Sequence, residues 1–278
     1  MNKKILTLLA ILIIFLSIST ASAGFFDFLD DINTKHNNNV TNDEKTFVMG
    51  VNLGFPPFEY KTDNGSYAGF DIDLAREVCN RNNWTLVVQP IINWDYKEAE
   101  LNSGEVDCIW SAFTINNREN DYTWTKPYFN NTQVFVVKSD SNISSISDLN
   151  GKTIEIQVES SGLDALKGQN KTVGDSLKVV EAHDYNTAFM DLDTGACDAV
   201  LVDFELANNR MAKSPNHFKI LNESLCNEKY GVGFKQGNTQ LKDQVQNTLD
   251  EMFKDGTVDK IAQKYSAYGI PDGVIYPK

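Results

Sequence analysis

The chain has 278 residues, of which 41% are hydrophobic and 23% are charged, so it is long enough for one large domain or two smaller ones. Its formal net charge of −13 argues against nucleic acid or an anionic membrane surface as a partner. The chain contains 4 cysteines, whose spacings match no zinc pattern, and 3 histidines. We therefore expect neither a metal site nor a cofactor.

The N-terminal residues have the pattern of a secretory signal peptide. A basic start precedes the almost wholly apolar stretch Ile5–Leu16, and Ala21–Ala23 is a small-x-small cleavage site. We expect residues 1–23 to be the signal peptide and residues 24–45, rich in Asn and Asp, to be a flexible linker. The alternative is an uncleaved segment that tethers the protein to a membrane. In either case the folded part would be extracytoplasmic.

Export makes disulfide bonds possible. We expect Cys79, on an apolar helix face, and Cys108, in a strand, to be buried free thiols. A bridge between Cys197 and Cys226 stays open, because cysteine pairing cannot be read from a sequence.

Folding is expected to begin near Thr46, and from there predicted strands and helices alternate. The first unit consists of the strands Phe47–Leu53, Trp84–Gln89 and Val106–Ser111 and the intervening helices Ile72–Asn82 and Tyr96–Ser103. A tight turn at Asp63–Gly65 precedes the first helix, for which Asp71 is the expected N-cap, with Asp73 in the first turn. This β-α-β-α-β order predicts a parallel, doubly wound sheet.

A second unit repeats this layout. Its predicted elements are the strands Lys152–Gln157, Leu177–Glu181 and Ala199–Val202 and the helices Ser161–Lys167, Tyr185–Thr194 and Phe204–Ala212. Extended segments at Val134–Lys138 and Tyr230–Phe234 would form a two-stranded hinge between the units. The amphipathic helix Gln240–Phe253 and the shorter helix Val258–Tyr265 would pack on the first lobe.

We therefore predict an α/β protein of two doubly wound lobes joined by a two-stranded hinge. Residues 46–132 and 230–278 would form lobe 1. Residues 133–229 would form lobe 2 together with the hinge segments.

Two aromatic residues, Phe55 and Phe58, lie just after the first strand on a loop stiffened by Pro56 and Pro57. Open α/β sheets bind their ligands at the carboxyl ends of strands. The two aromatic side chains are therefore candidate ligand contacts. The alternative is that both belong to the hydrophobic core.

Polar residues follow the third strand of the first unit. Ser111 and Thr114 lie close together in sequence, and Arg118 comes shortly after them. An Arg side chain can bind a carboxylate through two parallel hydrogen bonds, and the hydroxyl groups could complete a polar cup. The alternative for Arg118 is a surface salt bridge.

Polar residues also follow two strands of the second unit. Ser160 and Ser161 start a helix, whose free N–H groups and dipole favour an anion, although a plain N-cap is the alternative. Asp203 follows the strand Ala199–Val202. Its carboxylate would suit an ammonium group, and its alternative role is the N-cap of the next helix.

These stretches resemble the motifs of the family 3 solute-binding proteins, the polar amino-acid receptors of ABC importers. Pro56-Pro57-Phe58 and Gly69–Leu74 are similar to the opening motif of that family. The stretches Gly104–Tyr128, Asp148–Gly162 and Asp193–Asp203 resemble its later blocks, in the same order. The resemblance implies a periplasmic-binding-protein type II fold, whose two lobes close on a ligand.

The resemblance assigns the carboxylate of a free amino acid to Arg118 and to the N–H groups of Ser160 and Ser161. The chain departs from the family pattern at two points. The spacing from Thr114 to Arg118 is one residue shorter than the commonest one, and Glu159 stands where Gly is usual.

The resemblance assigns the ammonium group of the amino acid to Asp203, Ser111 and Thr114. It also implies that Phe55 and Trp94 enclose the side chain of the ligand. Asn52 would reach the far end of that side chain. Binders of basic amino acids often carry an acid at that position, so Asn52 favours a neutral or polar ligand.

We expect an extracytoplasmic, monomeric substrate-binding protein that captures a free amino acid in an interlobe cleft. It would deliver the amino acid to an ABC importer by docking on the membrane permease. The alternative is an enzyme on the same fold that resembles the cyclohexadienyl (prephenate or arogenate) dehydratases. Such an enzyme needs a general acid in the cleft, and Glu159 is the one unexpected acid nearby.

Overall fold

The computed structural model describes residues 45–168 and 177–275. The predicted signal peptide and all of the predicted linker except Lys45 lie outside the described residues. The strands are β1 (Lys45–Val51), β2 (Tyr60–Lys61), β3 (Tyr67–Ala68), β4 (Trp84–Pro90), β5 (Cys108–Ile109), β6 (Thr123–Trp124), β7 (Phe129–Lys138), β8 (Thr153–Gln157), β9 (Lys178–Ala182), β10 (Ala199–Asp203), β11 (Phe218–Tyr230) and β12 (Gly233–Phe234). The α-helices are Phe70–Asn82, Lys97–Ser103, Ser161–Gly168, Tyr185–Thr194, Phe204–Lys213, Thr239–Lys254, Thr257–Gln263 and Ile270–Gly273.

Two five-stranded sheets organise these elements, within one compact unit that begins at Lys45. The first sheet has the order β4-β1-β5-β12-β6, and β1 pairs in parallel with both β4 and β5, as predicted. β5 is shorter than the predicted strand Val106–Ser111. The chain turns away from the sheet at this point, where Ala112 has a left-handed backbone with φ of 44°.

The second sheet has the order β11-β7-β10-β8-β9. β8 pairs in parallel with β9 and β10, whereas β7 is antiparallel to β10 and β11. The sequence analysis missed most of β11, a strand of 13 residues. Its pairing with β7 shifts register between Ile220 and Ser224 and again before Cys226, so its side chains show no sustained two-residue alternation.

The chain passes between the two sheets twice. It leaves the first sheet after β6 and enters the second at β7, and it returns between the end of β11 at Tyr230 and the start of β12 at Gly233. The predicted hinge segment Tyr230–Phe234 contains the return crossing, because Tyr230 belongs to the second sheet and Gly233 to the first. The predicted hinge segment Val134–Lys138 lies wholly within the second sheet, and the crossing precedes it.

The C-terminal helices pack on the helix Phe70–Asn82 beside the first sheet, as predicted. In the helix Thr239–Lys254 the buried apolar side chains follow a helical spacing and are Leu241, Val245, Leu249 and Met252. This apolar face packs against the helix Phe70–Asn82. The N-terminal end of the helix Phe70–Asn82 is held by Asp71.

Asp71 is not the N-cap of its helix, contrary to the prediction. The helix already begins at Phe70, and its N-cap is Gly69, with φ of 135°. A Cβ atom on Gly69 would lie 2.0 Å from the carbonyl oxygen of Phe58, so only glycine fits there. Asp71 is instead fully buried and accepts hydrogen bonds from the Ala112 N–H at 2.7 Å and the Tyr128 hydroxyl at 2.8 Å.

The four cysteines are free thiols. Cys79 and Cys108 are buried, as predicted. Cys226 pairs with Gln133, which pairs on its other side with Asp203 at the far end of β10 from Cys197. This arrangement places Cys197 and Cys226 about 20 Å apart along the sheet, which is too far for a disulfide.

Candidate functional site

The carboxyl ends of strands from both sheets line one cavity of about 330 Å³. Asn52 follows β1, Ser111 follows β5, and Asp203 ends β10. All of the predicted ligand-binding residues line this cavity, namely Asn52, Phe55, Trp94, Ser111, Thr114, Arg118, Ser160, Ser161 and Asp203. The predicted proximity of these side chains is therefore observed.

Hydrogen bonds between residues on the two sides of the cleft close it directly. The amide of Asn52 donates to the Gln157 side-chain oxygen at 2.9 Å, and the Thr114 hydroxyl donates to the Ser161 hydroxyl at 3.1 Å. Each bond joins a residue next to the first sheet to one next to the second. A ligand that makes similar contacts would bridge the same two surfaces.

Arg118 forms part of the cleft wall, with its side chain 11% exposed. Its Nη2 atom donates to the carbonyl oxygen of Glu159 at 3.1 Å and to the carboxylate of Asp164 at 3.0 Å. The salt bridge predicted as its alternative role is therefore present, but it lies in the cleft. Among the described residues, Nε and Nη1 have no partner within hydrogen-bonding distance, so both can reach a ligand carboxylate.

Glu159 adopts a left-handed backbone, with φ of 53°, just before the Ser160–Ser161 pair. Its carboxylate is 59% exposed and lies 4.0 Å from the Nζ atom of Lys97, and it does not line the cavity. Lys97 is buried, and burial, followed by the neighbouring Arg118 charge, lowers its pKa. The acid that replaces the usual glycine is thus directed towards a cation and away from the anion-binding groups.

Ser160 combines both roles that its position allows. Its hydroxyl accepts a hydrogen bond from the Leu163 N–H at 3.2 Å, as an N-cap does, and it also lines the cavity. Ser161 begins the helix Ser161–Gly168. The first N–H groups of that helix therefore lie beside Arg118, where they add to its attraction for an anion.

Asp203 also lines the cavity, but it is an acid and therefore favours a cation, whereas the groups around Arg118 favour an anion. It is 5% exposed and accepts hydrogen bonds from the Asn131 amide at 2.5 Å and from the Tyr230 hydroxyl. Burial, followed by the charge of Glu228, raises the pKa of Asp203 well above its ordinary value. Asp203 is also the N-cap residue of the helix Phe204–Lys213, as its alternative role has it, but its side chain makes no capping hydrogen bond.

Ser111 is fixed by two hydrogen bonds. Its hydroxyl donates to a carboxylate oxygen of Glu59 at 2.5 Å and accepts from the Asn52 N–H at 2.8 Å. Glu59 is fully buried, and burial raises its pKa well above the ordinary value, with the nearby Asp71 charge as the next cause. The sequence analysis did not single out Glu59, although it directly follows Phe58.

The two aromatics of the first loop have different roles. Phe55 lines the cavity and packs edge-on against Tyr185, with ring centroids 5.7 Å apart. Phe58 is fully buried in an aromatic cluster with Phe129 and Tyr230. The alternative core role is therefore correct for both residues, and Phe55 lines the cavity as well.

Four further residues line the cavity that the sequence analysis did not predict: Ala112, Phe113, Gln157 and Tyr185. Gln157 is the last residue of β8, so the rule that ligands bind at strand ends could have found it. Tyr185 begins a helix and carries no comparable local signal. Its hydroxyl is buried without a hydrogen-bond partner among the described residues.

Within residues 45–168 and 177–275, no group of His, Cys, Asp and Glu side chains is arranged to hold a metal ion. None of the helices in these two ranges is long and apolar enough to cross a membrane.

Two doubly wound sheets with a polar cleft between their strand ends define a periplasmic-binding-protein type II fold, as predicted. The chain belongs to the bacterial extracellular solute-binding proteins of family 3, whose sequence model matches residues 47–268. This match confirms the resemblance drawn from the motifs. It covers nearly all of the residues that form the two sheets.

Several known proteins are similar to this chain over most of its length. The L-cystine-binding protein TcyJ of Escherichia coli (strain K12) is 27% identical over 233 residues, which are 82% of this chain and 85% of that protein. An ABC uptake transporter substrate-binding protein from Streptococcus pneumoniae, solved with bound histidine, is 30% identical with a TM-score of 0.76 and covers 79% of this chain and 92% of its own. An ancestral arginine-binding protein, solved with bound glutamine, is 33% identical with a TM-score of 0.73, over 80% of this chain and 98% of its own.

Proposed function

We propose that this protein captures a free amino acid in the cleft outside the cytoplasm and delivers it to an ABC importer. The observation that carries the proposal is the pairing of opposite binding groups in one small cavity. Arg118 and a helix start favour a carboxylate, whereas Asp203 favours an ammonium group. The amino-acid ligands named for the similar proteins support the same chemistry.

The carboxylate of the amino acid binds the guanidinium group of Arg118 and the N–H groups of Ser160 and Ser161. Two parallel donors of a guanidinium group match a carboxylate, and each such pair includes Nη2. Nη2 already donates to Glu159 and Asp164, so a ligand bound in this way shares Nη2 with them or replaces one of these contacts.

The ammonium group binds Asp203, with the hydroxyls of Ser111 and Thr114 completing its hydrogen bonds. Ser111 is held in place by Glu59, and Thr114 by Ser161. The side chain of the amino acid lies between Phe55 and Trp94. These two rings are almost fully buried and line the same cavity.

The far end of the cleft favours a neutral or polar side chain. Asn52 and Gln157 present amide groups there, hydrogen-bonded to each other at 2.9 Å. An amide offers both a donor and an acceptor, but it does not neutralise a cation. This preference for a neutral or polar side chain is consistent with the glutamine bound in one similar structure.

Ligand binding stabilises the closed arrangement of the two lobes, with residues 46–132 and 230–278 in one and 133–229 in the other. Arg118 comes from the first of these and Asp203 from the second, so one ligand contacts both. A ligand with contacts to both lobes shifts the equilibrium towards the closed form. The closed monomer then docks on a membrane permease.

The protein acts as a binding protein and not as an enzyme. A dehydratase needs a general acid in the cleft, and Glu159 was the candidate. Its carboxylate is instead exposed, lies beside Lys97 and does not line the cavity. Tethering through an uncleaved N-terminal segment remains part of the proposal for the location outside the cytoplasm.

A thermal-shift screen of the protein without residues 1–23, against the standard amino acids, cystine and prephenate, tests this proposal. A ligand present at about one hundred times its dissociation constant adds about 2.7 kcal/mol to the stability of the folded state. For a domain of this size the melting temperature should then rise by roughly 5–10 °C. A rise with prephenate alone, together with release of phenylpyruvate, would overturn the proposal in favour of the enzyme.

A further inference from the structure

Asp203 belongs to a buried hydrogen-bonded network that extends beyond the cavity. The side-chain amide of Asn131 donates to Asp203 at 2.5 Å and also to Glu228 at 2.6 Å. The amide of Gln133 donates to the same oxygen of Glu228 at 2.9 Å, and the Tyr230 hydroxyl donates to Asp203. Two carboxyl groups, on the strands β10 and β11 that flank β7, are therefore joined through the amide group of Asn131 on β7.

This network has no counter-ion in the described part of the chain. Asp203 and Glu228 are 5% and 4% exposed, and neither has a Lys, Arg or His side chain within salt-bridge distance there. The titratable groups that face the pair from the surrounding elements are Glu59, Tyr185, Glu205, Cys226 and Tyr230. Behind Glu59 lies Asp71, which is also buried. Each of these groups is neutral when protonated and negative when deprotonated, so none of them can supply a positive charge.

When two carboxyl groups are buried this close together, the negative charge of one makes ionisation of the other less favourable. Burial and the Glu228 charge raise the pKa of Asp203 well above its ordinary value. Glu205 responds to the same neighbour: burial raises its pKa to about 8, its own backbone hydrogen bond opposes this, and the Glu228 charge is a smaller raising cause. Neutral amide and hydroxyl donors do not supply the missing positive charge.

We propose that Glu228 is a positioning residue for Asp203, and that in the empty cleft the Asp203 carboxyl group holds a proton, which an incoming ammonium group displaces. This inference rests on the proposed function. The ammonium group keeps its own protons and supplies the positive charge, so Asp203 ionises, and one proton leaves to the buffer for each amino acid bound. No bond other than the O–H bond of the carboxyl group is broken.

A second cavity gives the departing proton a route that the bound amino acid does not block. Glu228 lines this cavity, of about 650 Å³, together with Cys226, Asn117 and Asn227. Asn117 and Asn227 are exposed, so the cavity reaches solvent. Glu228 does not line the ligand cavity, which means that its substitution removes no direct ligand contact.

The sign of the pH effect follows from proton release. A group that holds a proton in the free protein and loses it in the complex makes binding tighter as the pH rises. The affinity should therefore increase as the pH rises above the ordinary pKa range of aspartate, by at most about tenfold per pH unit for one proton. By reciprocity, the bound amino acid lowers the proton affinity of Asp203 by the same factor.

Isothermal titration in two buffers with different ionisation enthalpies measures the proton directly. The probe is whichever standard amino acid, or cystine, raises the melting temperature of the wild-type protein. We compare wild type with Glu228→Gln, which keeps the shape and the acceptor oxygen but removes the negative charge beside Asp203. The comparison of two proteins cancels any proton that the amino acid itself releases. At a pH where the wild-type affinity rises with pH, the expected result is release of about one proton per ligand for wild type and less than half of that for Glu228→Gln.

Glu155→Gln is the matched control, because Glu155 is a buried glutamate on the second sheet that does not line the cavity. Its substitution should leave proton release unchanged, and the melting temperatures of both variants report whether they fold. Amino-acid binding with equal heats in both buffers and no pH dependence, or the same release in Glu228→Gln as in wild type, would overturn this inference alone. Failure of wild type to bind any of the probes would overturn the proposed function as well.

Discussion

The two ends of the cleft compensate their charges in opposite ways. At the carboxylate-binding end, Arg118 is paired with Asp164 at 3.0 Å, and Asp164 is 48% exposed. At the ammonium-binding end, Asp203 is 5% exposed and contacts neutral donors, with further acids behind it. One end is therefore electrically satisfied before a ligand arrives, whereas the other gains its counter-charge only from the ligand.

Under the proposed function, the same ligand would be recognised by two physical mechanisms. At the Arg118 end the ligand would extend a salt bridge that already links the two sides of the cleft. At the Asp203 end the ligand would supply the positive charge that the buried acids lack. Substitutions at the Arg118 end should change only the affinity for the ligand. Substitutions at the Asp203 end should also change how the stability of the free protein depends on pH.

The largest effect is expected for Arg118→Ala. Truncation removes both of the donors that remain for the ligand carboxylate, and loss of a buried charged partner costs several kcal/mol. We expect affinity for the best amino acid to fall by about one hundredfold or more. Isothermal titration measures the affinity, and an unchanged melting temperature of the free protein shows that the fold is intact. Affinity within about threefold of wild type would remove Arg118 from the site.

A smaller loss is expected for Asp203→Asn, roughly tenfold to one hundredfold in affinity, because the shape is kept and the charge is lost. In contrast to Arg118→Ala, this variant should be at least as stable as wild type near neutral pH, because it removes a buried carboxyl group without a counter-ion. Calorimetric melting of the free protein tests the second half of the prediction. A variant that binds normally would contradict the ammonium role of Asp203.

The acid cluster should make the free protein less stable as the pH rises. Burial raises the pKa of Asp71 to about 7 and that of Glu205 to about 8, above the ordinary values of the unfolded chain. The folded state therefore holds protons that the unfolded state has lost, so this stability is complete below about pH 4 and is lost as the pH rises towards the folded values. Each group contributes at most about 1.4 kcal/mol per pH unit in that window.

Glu205→Gln should make the stability of the free protein depend less on pH, because it removes a group whose pKa burial raises to about 8. One buried oxygen of Glu205 also has no partner among the described residues. Melting temperatures of the two proteins between about pH 5 and 8 provide the measurement. Parallel curves for the variant and wild type would show that Glu205 does not titrate in this range.

The smallest effect is expected for Asp164→Asn. The Arg118–Asp164 pair is partly exposed, and such pairs are usually worth less than about 1 kcal/mol. We expect affinity to change by less than about fivefold, with a weaker dependence on salt concentration than in wild type. Glu181→Gln, which breaks an exposed pair with Lys167 at 3.7 Å on the same side of the molecule, is the matched control. A loss of affinity as large as that of Arg118→Ala would mean that Asp164 holds Arg118 in its binding position.

The position of the site was predictable because the polar residues stand where strands end. Ser111, Ser160 and Asp203 each follow an apolar run, and the carboxyl ends of parallel strands meet at one edge of a sheet. The alternation of strands and helices likewise predicted both sheets. What the residues alone left open, such as the role of Arg118, was supplied by the resemblance to the family.

The buried acid network was not predictable from local patterns. Glu228 lies on β11, whose register shifts remove the two-residue alternation, and its partner Asn131 is distant in sequence. Asp71 looked like an N-cap because acids are common there, but the N-cap is Gly69, two residues earlier. Contacts between residues far apart in the chain carry no signal in a single sequence without its relatives.

The most direct test of the account measures both ends of the cleft on one ligand. The amino acid that stabilises the protein most is compared by isothermal titration with its α-amide, which lacks the carboxylate charge, and its N-acetyl derivative, which lacks the ammonium charge. The account predicts that each derivative binds at least about one hundredfold more weakly than the parent. Binding of either derivative as tightly as the parent amino acid would contradict recognition by opposite charges.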